Sequence, residues 1–350
     1  MAGTVFTSTS GGVLQGFRRK GLRVTFTVGS GSLGPDATMD SVVLENHRCH
    51  ATITQEGMRT GLRCELTLEG MEMAEMNRLS MLAPTITLAN STVRGLAQNS
   101  LTVEVVDNIS PPELVFSGQV LESFADYGKA PEVTFQVRAQ ANAGLGAAQA
   151  APLSYPQPVA AAQVVADIAA RAGVRCADHG LKGTFGAGYT THGTLLDMVE
   201  RAVGAFHGAF MRDAAGTLHV WGTEAPKAGG GAPVPLLNAA SGLLGYPSYT
   251  ASGLQVRSLF RGDVEWWQPI NVQGGGLGTP GTQGAHGLVG NASQGAAGWA
   301  GGQGAVRAPP WNGLWVPWKI THELTTEIKD GPWFTTLEAQ RAEGSVNNAQ

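Results

Sequence analysis

Apolar and polar residues alternate strictly in Leu62–Glu69, where every even position is apolar and every odd one polar. That is the period of a strand with one buried and one wetted face, because successive strand side chains point to opposite sides. Val133, Phe135, Val137 and Ala139 alternate in the same way against Glu132, Thr134, Gln136, Arg138 and Gln140. Residues 22–28, 85–88, 101–106 and 114–124 read as further strands. Met71, Ala74, Arg78, Leu79 and Leu82 have helical spacing and interrupt the series. Several short strands separated by turn residues predict a closed barrel or a sandwich over residues 1–140.

The pattern then changes. Residues 141–151 are rich in Ala, Gly and Gln and read as a linker. Pro156 and Pro158 introduce a helix with Ala161, Val164, Val165, Ile168 and Ala172 on one face, and Gly173 stands where a C-terminal cap belongs. Thr194 with Asp197 three residues on resembles a capping box, and Leu195, Leu196, Val199, Ala202, Val203 and Phe206 form the stripe of a second helix. A hairpin follows over 208–212 and 217–221. Residues 152–225 therefore form a small α/β domain.

Beyond a Gly/Pro-rich link the β pattern returns over 240–345. Leu254, Val256, Ser258 and Phe260 alternate, as do Ile320, His322, Leu324, Thr326 and Ile328. Residues 329–332 are a turn cluster, and Trp333, Thr335, Leu337 and Ala339 continue on one face, so this pair predicts a long hairpin. We expect that hairpin to be a wall of the second β-domain, with His322 towards an outer face and Leu324 in its core. Residues 274–304, full of Gly, Ala, Gln and Ser, cannot offset their ordering entropy by burial and read as a flexible insertion.

The order of parts resembles the baseplate hub family of contractile-tailed bacteriophages, the late-control or tail-hub proteins. Three stretches carry the resemblance: Leu62–Glu69 leading through Gly70 into the short helix; residues 114–120 with 133–139; and 318–327 followed by Gly331-Pro332-Trp333-Phe334-Thr335-Thr336-Leu337-Glu338. Gly253 to Phe260 looks like the strand opening the last barrel. The resemblance implies a mainly β fold, two tube-like antiparallel β-barrels with an inserted α/β domain. It implies a homotrimeric ring between the tail tube or distal tail proteins and a central spike, located in the virion baseplate and assembled in the host cytoplasm. The insertion departs from the family pattern. The rivals are a cell-wall-degrading enzyme at the tail tip and the hub of a non-phage contractile injection system.

Composition fits an assembly protein. The 350 residues are 43% hydrophobic, enough for real cores, but only 14% charged, and charges are depleted at interface cores. The net charge of −4, with no basic run longer than Arg18-Arg19-Lys20, excludes stable nucleic-acid binding, although DNA passing through a lumen needs no such affinity. Three widely spaced cysteines give no disulfide framework, the polar N-terminus gives no signal peptide, and no apolar run approaches a membrane span, so a soluble chain with no membrane anchor is expected.

Candidate chemistry is thin. His47, Cys49, His50 and Cys64 form the best metal cluster, yet their spacing matches no common zinc pattern, and on a strand His50 would face away from His47 and Cys49. His322-Glu323 lacks the second His of a metallopeptidase helix, since position 326 is Thr. Asp178, His179 and His192 could supply an acid or base but have no matching nucleophile. Gly183, Gly186 and Gly188 read as a turn. Trp266, Trp267, Trp311, Trp315 and Trp318 bracket the insertion and suit either an interface or a core. We expect no catalytic residue, no metal and no cofactor.

Overall fold

The computed structural model describes residues 20–28, 41–80, 99–107, 110–128, 130–223, 234–274 and 310–342. Of these, 53% lie in strands and 15% in helices, so the mainly β expectation holds. The candidate strand at 85–88 and all but residue 274 of the insertion 274–304 lie outside the described residues.

The first β unit contains β1 (Lys20–Thr27), β2 (Ser41–Glu45), β3 (Arg48–Gln55), β4 (Leu62–Glu69), α1 (Met73–Leu79), β5 (Ser100–Asp107), β6 (Glu113–Asp126) and β7 (Thr134–Gln140). The alternation of β4 turns Leu62, Cys64, Leu66 and Leu68 inward, where they meet Phe26, Ile53, Phe116 and Phe135 in one core. The helical part follows as α2 (Ala143–Ala147), β8 (Gln149–Tyr155), β9 (Val159–Ala160), α3 (Ala161–Arg171), β10 (Cys176–Asp178), β11 (Thr184–Phe185), β12 (Tyr189–Thr194), α4 (Leu195–Gly204), β13 (Ala209–Arg212) and β14 (Leu218–Trp221). Its core is built from the stripes of α3 and α4 with Phe210, Leu218 and Val220. The Thr194–Asp197 capping box forms, and Gly173 takes the left-handed conformation just past α3. The second β unit contains β15 (Leu236–Leu237), β16 (Leu243–Thr250), β17 (Gly253–Leu259), β18 (Ile270–Val272), β19 (Gly313–Thr326) and β20 (Trp333–Arg341).

Residues 141–151 are not a linker. They form α2 and the start of β8, and Leu145 is buried in the helical core. A single apolar side chain among small residues was enough to anchor the turn of helix.

The two β units repeat one topology. In the first, β3 and β4 form a hairpin, β7 pairs with β4, β6 with β7 and β5 with β6. In the second, β16 and β17 form a hairpin, β20 pairs with β17, β19 with β20 and β18 with β19. Chain order and spatial order agree strand for strand. β6 and β19 are each 14 residues long, and each skips one residue opposite its partner, where Val120 meets Ala139 and Pro317 meets Ala339. The first unit then adds β1 antiparallel to β5, whereas the second adds β15 parallel to β18.

The units share one sheet because β19 pairs with β3 over residues 320–326. This corrects the placement of the closing hairpin. Ile320 and Leu337 lie in the second core, but Leu324 and Trp333 lie in the first. β19 runs out of one unit and into the other, so its inward side chains change core within four residues.

Candidate assembly surface

Across the β19–β3 junction the outward side chains form rows in register. Glu122, Arg138, Glu65, Thr52, Glu323 and Phe334 stand side by side on six successive strands. A parallel row runs Gln140, Arg63, Thr54, Thr321, Thr336 and Arg257. Alternation alone makes this face polar. Its cations are matched locally: Arg138 with Glu122 at 2.9 Å, Arg48 with Glu69 at 3.2 Å, Arg63 with Glu56 at 3.1 Å, Arg257 with Glu323 at 3.5 Å and Lys319 with Glu56 at 3.1 Å. Such exposed pairs contribute at most about 1 kcal/mol each to stability. Their effect here is to leave a broad sheet face of Thr, Gln and neutralised charge.

The buried side of the same junction is polar at one point. His322 is 3% exposed, and Ser258 and Thr335 beside it are fully buried. The Arg261 backbone N–H donates to Thr335 Oγ1 at 3.0 Å, and His322 Nδ1 lies 2.9 Å from the same hydroxyl. Burial pushes the His322 pKa down to about 4, so the ring is neutral at pH 7. His322 faces the interior, not outward as expected, because it occupies the inward row with Ile53 and Thr335.

The β3–β4 turn joins all three cores. Gly57, Met58 and Gly61 have positive φ. The Met58 N–H donates to Phe210 O at 2.7 Å, and its carbonyl accepts from Asn142 Nδ2 at 3.1 Å. Arg59 pairs with Asp197 at 2.8 Å and Glu200 at 2.7 Å on α4. The Thr194 cap, and then Arg59, hold the Asp197 carboxyl down at about 2. A Cβ on Gly57 would stand 2.0 Å from the Trp266 ring, so only glycine lets the turn pass beneath that indole.

The candidate chemical residues do not converge. Cys49 and Cys64 point into the first core, and burial pushes the Cys49 thiol up to about 12, far from a thiolate. His50 is on the opposite face, 2.8 Å from Thr325 Oγ1, and the His47 carbonyl accepts from Thr326 Oγ1. Among the described residues no three His, Cys, Asp or Glu side chains are grouped to hold a metal. His192 is exposed, and its carbonyl accepts from Arg201. The Asp178 carboxylate accepts from the Gly180 and Leu181 N–H groups. Gly183, Gly186 and Gly188 belong to the turns around β11, where Gly183 lies against the Phe206 ring. Trp266 and Trp315 are buried in the second core, and Trp267 and Trp311 pack against it.

Sequence reading missed one polar chain. His179 Nε2 lies 2.8 Å from His219 Nδ1, and His219 Nε2 lies 3.1 Å from Asp213 Oδ2, with both rings stacked on Trp221. Burial, and then His219, lower the His179 pKa. Asp213 and His219 face each other across the β13–β14 hairpin, a spacing the sequence offers, but His179 arrives through the parallel pairing of β10 with β14.

Among the described residues no helix is long and apolar enough to cross a membrane. No protein-family model matches the chain, and no curated protein matches it. Solved structures do. A tail protein from Neisseria meningitidis MC58 superposes with a TM-score of 0.54 at 11% identity, over 93% of this chain and 98% of that one. The 43 kDa tail protein of prophage MuSo2 from Shewanella oneidensis gives 0.51 at 10% identity, over 91% and 96%. At such identity the likeness is one of architecture: the chain has the fold of phage tail proteins.

Proposed function

We propose that this chain is a structural protein of a phage tail, the hub of the baseplate, with no catalytic role. Three copies form a ring that joins the tail tube to the central spike. The polar face spanning both β units lines its lumen. The observation that carries this reading is the sheet itself: two copies of one β unit are fused side by side with their polar rows in register. A wall made of repeated units is what a tube requires, and its locally neutralised cations would let a polyanion pass without gripping it.

The test is the mass of the purified protein by light scattering, and its presence in virions. The expected particle has three times the chain mass of 36.3 kDa, and the protein co-purifies with tails. Its absence from purified virions would overturn the reading.

A further inference from the structure

We propose that His179 and His219 form an acid-released clasp, which holds the helical part against the second β unit while one proton sits between the two rings and lets go when each ring is charged. Its contacts lie within one chain, so the clasp is independent of the hub reading.

The two imidazoles are parallel to within 5°, with centroids 5.1 Å apart and His179 Nε2 2.8 Å from His219 Nδ1. Rings in face-to-face contact stay about 3.5 Å apart, so these meet edge to edge, nitrogen facing nitrogen. On the other side of His219, Nε2 lies 3.1 Å from Asp213 Oδ2. An ionised carboxylate only accepts, so His219 Nε2 carries a hydrogen. A neutral His219 then has a bare Nδ1, which accepts from His179 Nε2–H. A charged His219 instead donates its Nδ1–H to a bare His179 Nε2. In both states a single hydrogen fills the gap. Charging both rings sets two N–H groups against each other, and the edge contact cannot survive.

Both rings lie over the Trp221 indole, with centroids 4.9 and 5.7 Å from it. Trp221 ends β14 in the helical part, yet it is buried in the core of the second β unit and meets Trp266 edge-on at 5.3 Å. Among the described residues, Met211 is the only other buried side chain that the helical part gives to that core. The seam is therefore narrow, and the pair covers it. β10 is three residues long, and just past it the His179 N–H donates to Val220 O at 2.8 Å, beside the clasp. Parting of the rings should loosen this short pairing and uncover Trp221.

The acidic groups facing His179 are Asp178 and Glu265, and the basic one is His219. Asp178 is occupied by the Gly180 and Leu181 N–H groups. Asp213 faces His219, Arg175 and Arg212. Burial, and then His219, outweigh the two carboxylates and lower the His179 pKa from its open-chain value of 6.5. Parted rings take up a proton near that pH which the closed pair refuses. The clasp is thus whole above it, and opening rises about tenfold per pH unit below it until His179 titrates in place.

Hydrogen exchange of the full chain at pH 7.5 and 5.5, read by mass spectrometry and corrected for intrinsic rates, tests the clasp. In the wild type, opening at residues 176–181 and 218–221 should rise about tenfold on acidification, measured relative to residues 62–69 in the first core, which report global opening. His179→Gln keeps a polar side chain at an exposed position and cannot charge, so its ratio should stay level. His219→Gln should do the same, because His179 then faces no second cation. A ratio that rises as much in either folded variant as in the wild type, or that does not rise in the wild type, would overturn the clasp.

Discussion

Acidification should weaken this protein through His322, and the size of the effect follows from its position. The ring is fully enclosed beside Thr335 and its pKa lies at about 4, against 6.5 in an open chain. Below pH 6.5 the unfolded chain takes up a proton that the folded protein refuses until about pH 4. Stability is therefore whole above pH 6.5, falls as the pH drops through that window, and is flat again below it. At ~1.4 kcal/mol per pH unit the full loss is about 3 kcal/mol. Replacing His322 by Asn keeps a hydrogen-bonding side chain near Thr335 and removes the titration. Urea unfolding of both proteins at pH 7.5 and 4.5 isolates this contribution, since other titrating groups are common to the two. Glu113, whose carboxyl is raised by burial and by Asp263, acts with the opposite sign in both. The wild type should lose about 2–3 kcal/mol more than His322→Asn on acidification. Equal losses would show that the imidazole is not held neutral by its surroundings.

Three further substitutions probe the architecture. Gly57→Ala places a methyl within 2.0 Å of the Trp266 ring at a positive φ, and should cost about 2 kcal/mol or more in thermal unfolding; an unchanged transition would mean that the turn relaxes freely. Leu324→Asp buries an unpaired carboxylate in the first core, and should abolish cooperative unfolding of that unit with a loss of several kcal/mol by denaturant titration; wild-type stability would place Leu324 outside that core. Arg59→Ala removes two exposed ion pairs on α4 and should change stability by less than about 1 kcal/mol, so a larger loss in urea would make this contact a main tie between the first unit and the helical part.

Faces were legible in the sequence where one side of a strand meets water. Residues 62–69 and 133–140 alternate because β4 and β7 stand in the middle of a one-sided sheet. Neighbours were not legible. Period two says which way a side chain points and nothing about which strand lies beside it, so the pairing of β19 with β3, some 270 residues apart, leaves no mark. For the same reason Ile320 and Leu324 look alike in sequence yet enter different cores. β16 was invisible because Gly245, Pro247 and a register break at its centre erase the alternation. Such a strand suits a sheet edge, where a missing N–H disturbs only one ladder. The candidate metal residues were correctly separated by face, since His50 and Cys49 are adjacent on one strand. The histidine chain at His219 escaped because a parallel pairing created it.

The closing hairpin gives the fold its order of dependence. Trp333 and Leu324 finish a core whose other buried members come from residues 22–141, and the His322–Thr335 contact sits where that core meets the next. The first β unit is thus left open until the last strands are in place, with the helical part already between them in the chain. Contacts this remote in sequence are made late, because loop closure must be met before they contribute. The same strand that completes the first unit also binds the second to it, so both units acquire their edges in one step. A chain cut short before β19 would leave β3 paired with β4 alone among the described strands, an open edge of the kind that templates pairing with another chain.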